Sequence, residues 1–308
     1  PYGNCFKKPT GLPCFTALIG GRQERDAHML LDMRWRLETQ YLDSLRYVLD
    51  HGSVETDRTG TGTMDVTGYQ YRCTLQKEFP IITTKKVHYR GIAAELLWMM
   101  RGQTNIKPLQ DQKIKIWDEW ADSNGDLGPV YGYTWRKWNA GGPDQLKDTL
   151  TALRAKSDSR RIIVSAWNPS LLPLQALPPC HLMYFFRVKQ GKYLDTHVIQ
   201  RSADAFLGLP YNFASYATLA HIMAGLSGLI PDTYVHTVNS LHIYSNHMDQ
   251  VKEQLSRNAI TSPVPSLRID CEMNESMDLD DFLKSVKTED LQLQNYNHHK
   301  AIKAPVAV

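Results

Sequence analysis

Residues His181–Gln200 read HLMYFFRVKQGKYLDTHVIQ. Within this stretch, His181–Val188 and Tyr193–Gln200 are rich in aromatic and branched residues and predict two buried or half-buried strands. Outward from them, similar runs recur at Arg161–Trp167 (RIIVSAW) and Thr233–Ser240 (TYVHTVNS). An alternating strand pattern stands at Tyr69–Leu75 (YQYRCTL), where Gly68 marks an expected bulge. The helical patterns between these strands differ in character. Trp35–Asp50 sets Leu37, Tyr41, Leu45 and Val48 along one face and has Gly52 where a helix stop belongs. Asp144–Lys156 is amphipathic through Leu146, Leu150 and Leu153, and Tyr244–Arg257 reads as a further helix. Gly91–Arg101 (GIAAELLWMMR) is mostly apolar yet contains Glu95, and Asn212–Leu229 is long, apolar and rich in small residues, which predicts a central helix. Strands and helices intermix without regular βαβ alternation. The fold class is therefore α+β, a single domain with a mixed, twisted β-sheet packed with helices. That domain is expected over 33–308, after an arm over 1–32 that is rich in Gly and Pro and reads as partly disordered or extended.

The 308 residues are enough to bury a large core without disulfide staples. Cys5, Cys14, Cys73, Cys180 and Cys271 are odd in number and scattered, with no CxxC or Cys/His zinc spacing. They predict a reducing compartment and no metal. No run of 18 apolar residues and no charged-then-apolar leader is seen, so the expectation is a soluble, cytoplasmic protein without membrane contact. A formal charge of +3 is too small for a chain whose main ligand is nucleic acid, so no DNA partner is expected.

Cys180 stands between Pro178-Pro179 and His181, directly before the first strand quoted above. A thiol becomes a working nucleophile when nearby positive charge or a hydrogen-bond donor favours its thiolate. The sequence offers such charge at Arg160-Arg161 in DSRRI, at Arg201 with Ser202 in IQRSAD, and at Arg58 among the glycines of DRTGTGT (57–63). Planar guanidinium forks beside Ser and Gly suit a phosphate dianion. Glu95 has Leu96, Leu97 and Trp98 as neighbours, a setting that raises a carboxyl pKa into the range useful for general acid/base work. A Cys-His hydrolase built on Cys180 and His181 fails on geometry, because adjacent residues of a strand point to opposite faces.

The longer motifs converge on one family. DRTGTGT, FPIITTKK (79–86), AAELLWMMRGQTNI (93–106), IWDEWADSNGDLGPVYG (116–132), SRRIIVSAWNP (159–169), ALPPCH (176–181), QRSADAFLGLPYNFASYA (200–217), LHIYSNHMDQ (241–250) and IKAPVAV (302–308) follow one another in order. Through them the chain resembles folate-dependent thymidylate synthase from about Arg36 to Val308. The resemblance implies a sheet-mediated homodimer that converts dUMP to dTMP with 5,10-methylenetetrahydrofolate and no metal. It implies that Cys180 adds to carbon 6 of the uracil and that Glu95 organises water and proton transfer. Tyr131 would assist removal of the carbon 5 proton, with Asp204 also in the catalytic set. Arg58, Arg201 and Ser202 would hold the phosphate, joined by Arg160 and Arg161 from the partner subunit, and Gln200 would also touch the nucleotide. His242 and Tyr244 would bind the sugar 3′-hydroxyl. Asn212 would read uracil, since a carboxamide offers one donor and one acceptor together; an Asp there would suit cytosine. For the folate the resemblance points to Ile116, Trp117, Trp120, Leu177, Asp204, Gly208 and Tyr211, with Val308 closing over the pterin and Lys85, Lys86 and His88 facing the glutamate tail.

The chain departs from the family pattern in four places. Ile199 replaces an aromatic residue, Ala94 a bulkier or polar one, and Asn297–Lys300 (NHHK) a Pro-containing turn. Asn239-Ser240-Leu241 stands where Gly-Asp and a small residue are usual. The same catalytic set also serves a dUMP 5-hydroxymethylase, in which water rather than hydride completes the transfer. A nucleotide- or RNA-binding regulator without activity is a third reading, disfavoured by the intact Cys180, Glu95, Asn212 and arginines.

Overall fold

The computed structural model describes residues 36–156 and 158–306; the expected arm and Val308 lie outside the described residues. In chain order the elements are α1 (Leu37–His51), β1 (Ser53–Glu55), β2 (Thr63–Thr74), α2 (Tyr89–Met100), α3 (Lys107–Gln110), α4 (Tyr131–Arg136), α5 (Gln145–Arg154) and β3 (Ile163–Ser165). They continue as β4 (His181–Lys189), β5 (Tyr193–Asp204), α6 (Gly208–Leu226), β6 (Ile230–Tyr244), α7 (Met248–Leu255), β7 (Ser266–Ile269), α8 (Leu279–Ser285) and β8 (Leu291–Gln294).

Six strands form one sheet in the order β1-β2-β6-β5-β4-β3, and β7 pairs with β8 in a separate ribbon. The β5–β6 pair is parallel and the other pairings are antiparallel, so the sheet is mixed as the sequence predicts. Parallel neighbours need a crossover connection, which α6 supplies. Side chains of β5 alternate: Leu194, Thr196, Val198 and Gln200 point inward, while Tyr193, Asp195, His197 and Ile199 stay half-buried on the other face. Against the inward face lies α6, which carries Phe213, Ala214, Ala217, Leu219, Ala220 and Ile222 with no exposure and packs on β5, β6 and α2. Its polarity is low all round because it has no solvent side.

The structure differs from the sequence reading in detail. Gly68 takes φ 78°, but the register of β2 on β6 is the same on both sides of it, so no residue is inserted there. The register shifts fall instead between His181 and Met183 and between Leu194 and Thr196. The helix expected over Tyr244–Arg257 begins as a 3-10 turn at Ser245–His247 and is α-helical over Met248–Leu255. Residues 297–300, without the usual proline, are tied down by their backbone. The His299 N–H donates to the Thr83 carbonyl at 2.8 Å, and Arg257 Nη1 donates to the Lys300 carbonyl at 2.6 Å.

Candidate active site

Cys180 ends the loop that leads into β4, and Arg201 of β5 holds that loop. The Arg201 N–H donates to the Cys180 carbonyl at 2.8 Å, and its Nε and Nη2 donate to the carbonyls of Pro179 and Pro178, each at 2.9 Å. The same Nη2 lies 3.6 Å from Cys180 Sγ. Burial pushes the Cys180 thiol up, and Arg201 offsets only part of that rise. A second positive charge beside the sulfur would complete the activation that the thiol needs.

Tyr131, at the start of α4, accepts a hydrogen bond from the Cys180 N–H at 2.8 Å, and burial raises its pKa well above the ordinary value. His181 does not act on the thiol. Its ring stacks on Tyr131 at 4.5 Å and 16°, its Nδ1 meets Tyr216 Oη at 2.9 Å, and burial holds its pKa down to about 3. It is a neutral, committed structural group. Glu95 of α2 accepts a hydrogen bond from Trp117 Nε1 at 2.8 Å, and burial raises its carboxyl to about 7 despite that bond. The charge of Glu95 is also felt by Tyr131 and Tyr211, so all three lie near one another.

Around Glu95, Trp117 is buried, whereas Ile116, Trp120, Leu177 and Tyr211 keep half of their flat or branched surfaces against the core and the rest exposed. Trp117 and Trp120 meet edge to face, 5.8 Å apart. Such half-covered aromatic surface fits a planar heterocycle stacking beside Glu95. Asp204 closes the β5–α6 turn by accepting from the N–H groups of Phe206 at 2.9 Å and Leu207 at 3.1 Å. Asn212 lies within α6 rather than at its cap, which is Leu207. Its carboxamide makes no hydrogen bond among the described residues, so both its donor and its acceptor are available to a ligand. Gly208 is half-buried in the first turn of the same helix.

At the far end, His242 and Tyr244 of β6 meet edge to face with ring centroids 5.0 Å apart. Burial raises the Tyr244 hydroxyl, which also feels Asp204, Asp57, Cys180 and Arg58. That links the Arg58 loop and the thiol to the same end of the sheet. Asp57 shapes the loop by accepting from the N–H groups of Thr59 and Gly62 at 2.9 and 2.8 Å, leaving Arg58 exposed. Ser202 is half-buried and pairs with Ser240 across β5 and β6.

Two expectations change, those for Gln200 and Lys85. Gln200 is buried among the core side chains, bonded to His236 Nε2 at 2.8 Å and to the Ser202 carbonyl at 2.9 Å, so both ends of its carboxamide are taken. Lys85 does not face a solvent-exposed tail. Exposure alternates along residues 85–88, which turns Lys86 and His88 outward and Lys85 and Val87 inward. Lys85 Nζ donates to the Phe206 carbonyl and sits 3.4 Å from the Phe206 ring centroid, and burial takes its pKa down to about 7. Arg160 and Arg161 are exposed and join no ion pair among the described residues; Arg201 is the arginine that acts on the Cys180 thiol within the chain. His247 was not singled out by the sequence. It is buried, its Nε2 donates to the Pro305 carbonyl at 2.7 Å, and its Nδ1 lies 3.8 Å from Asp204 Oδ1.

Residues 39–308 match the family model described as thymidylate synthase. The chain belongs to the thymidylate synthase family. Membership implies an enzyme that transfers a one-carbon unit to dUMP, as a methyl or a hydroxymethyl group, with methylenetetrahydrofolate as the donor. No group of three or more His, Cys, Asp or Glu placed to hold a metal occurs among the described residues, and no described helix is long and apolar enough to cross a membrane.

Proposed function

We propose that the chain catalyses the reductive methylation of dUMP to dTMP through a covalent bond between Cys180 Sγ and carbon 6 of the uracil. The observation that carries this reading is the Cys180 thiol beside Arg201, its backbone bonded to a Tyr131 hydroxyl that also feels the charge of Glu95, a carboxyl with a pKa of about 7. Arg201 favours the thiolate, and the soft sulfur suits addition to a conjugated alkene. Arg58 and Ser202 stand at the strand ends where the phosphate charge would sit. Asn212 offers the uracil oxygen at position 4 a donor and the N–H at position 3 an acceptor. Glu95, near neutrality, can hold or release a proton through water at the base, and Tyr131 can take part at carbon 5. The folate supplies the one-carbon unit and the hydride when bound, against Trp120, Leu177 and Tyr211. Asp204 anchors the turn on which Gly208 and Tyr211 are carried.

The enzyme acts in this reading as a homodimer, joined through the sheet face that bears Met183, Phe185, His197 and Ile199 half-exposed. Arg160 and Arg161 reach the phosphate of the partner, which accounts for two adjacent exposed guanidinium groups that join no ion pair among the described residues. Incubation with dUMP and 5,10-methylenetetrahydrofolate tests the reaction. The expected products are dTMP and dihydrofolate, seen as rising absorbance and a methylated nucleotide. A hydroxymethylated nucleotide with tetrahydrofolate would establish the hydroxymethylase reading instead.

A further inference from the structure

We infer that Asp65 is a positioning residue for His242, fixing the imidazole that faces the sugar, and thereby sets the preference for a 3′-hydroxyl. The inference rests on the proposed reading of the nucleotide site. Asp65 lies on β2 and faces His242 directly across the antiparallel pair, while Asp204 of β5 faces His242 from the other side. The Ser240 hydroxyl donates to Asp65 Oδ2, and the same oxygen stands 4.0 Å from His242 Nδ1. Ser240 itself carries no charge, and the neighbouring strand supplies a carboxylate to that spot.

A carboxylate beside one ring nitrogen keeps its proton there and leaves the other nitrogen as an acceptor. The Nδ1 edge of His242 faces the Asp65 carboxylate. Nε2 has no hydrogen-bond partner among the described residues. It is the atom left for a sugar hydroxyl to donate to. Burial lowers the His242 pKa, and Asp204, Asp65 and Asp57 offset only part of that fall, so the ring is neutral. Asp65 stays partly accessible, with side-chain exposure of 23% against 11% for His242.

The test compares binding of dUMP and of its 3′-deoxy analogue to the full chain and to Asp65→Asn by calorimetry. Asp65→Asn is expected to weaken dUMP about tenfold and to leave the 3′-deoxy analogue unchanged. In turnover, KM for dUMP should rise with kcat nearly constant and KM for the folate unmoved. Ser240→Ala, which frees the carboxylate from its hydroxyl, should shift dUMP binding in the same direction by a smaller factor. It provides the measurement if Asp65→Asn does not fold. Equal weakening of both nucleotides would make Asp65 merely structural and overturn the inference, as would no weakening of either. Wild-type protein that binds no dUMP would overturn the reading of the site, and this assignment with it.

Discussion

Two side chains carry expectations that can be checked atom by atom. In 5-fluoro-dUMP the fluorine cannot leave as a cation, so the nucleotide and folate should remain attached to Cys180. Intact-protein mass spectrometry should find that added mass on the wild type and none on Cys180→Ala; an adduct on the variant would place the nucleophile elsewhere. Glu95 gives a pH signature of opposite sense to an ordinary surface acid. Its folded pKa is raised from 4.5 to about 7, so the folded protein holds this proton more tightly than the unfolded chain does. The associated stability is full below pH 4.5 and is lost as pH rises to about 7. Glu95→Gln should therefore flatten the fall in stability across that window. The difference has an upper bound of roughly 3 kcal/mol, read from denaturant midpoints at several pH values. In turnover, the inflection of kcat near neutrality should vanish in Glu95→Gln; persistence of both features would assign them to another group.

Elements position these groups through a few close approaches. Gly128, with φ 71°, precedes α4, and a Cβ there would stand 2.0 Å from the Leu174 carbonyl oxygen. The same contact is fastened by the Ala176 N–H on the Leu127 carbonyl at 2.9 Å and by Gln175 Nε2 on the Pro129 carbonyl at 2.7 Å. Gly128→Ala should displace the strap that carries Leu177 away from Tyr131. Gly141, with φ 77° and no atom near its missing Cβ, separates the conformational cost from the clash. Gly141→Ala should cost about 1–2 kcal/mol, and Gly128→Ala clearly more, with a higher KM for the folate. Thermal melts that rank the two equally would remove the steric role of Gly128. The strands and long helices were legible because their patterns are strong and sustained: β5 alternates over its length, and α6 is apolar all round. Segments such as β1, β7, β8 and α8 are short and take their order from neighbours, so no local pattern marks them. The bulge expected at Gly68 was misplaced because a register shift depends on the partner strand; the shift between His181 and Met183 has no glycine or proline at its site, and the one between Leu194 and Thr196 has Pro231 on the partner strand. In the site, Cys180, Glu95 and Arg201 could be read from residue type and context. Lys85 could not, since which of two adjacent lysines turns inward depends on the burial of Val87. Asp65 was invisible for a similar reason, as its partner His242 is set by register alone.

At the scale of the whole molecule, the two free arginines predict shared sites. Cys180→Ala lacks the nucleophile and keeps its arginines, while Arg160→Glu/Arg161→Glu keeps the nucleophile and loses the donated charge. In a mixed dimer of twofold symmetry, one site combines both defects and the other has neither. Equal amounts, after random exchange, should recover roughly a quarter of all sites, because half of the dimers are mixed and each has one intact site. Activity no higher than that of the separate variants, with subunit exchange confirmed by native mass spectrometry, would mean that the arginines serve their own chain.

Asp65, Asp204 and His242 stand side by side on β2, β5 and β6, yet they come from distant parts of the chain. Their alignment depends on the parallel pair, which can form only after α6 has crossed over. Contacts of such long sequence separation are slow to form during folding. Nucleotide binding is thus an event of the finished sheet, and recovery of helical signal on refolding should run ahead of it. Nucleotide present at that moment stabilises the completed register by mass action, so the substrate doubles as a clasp on the strand order that recognises it.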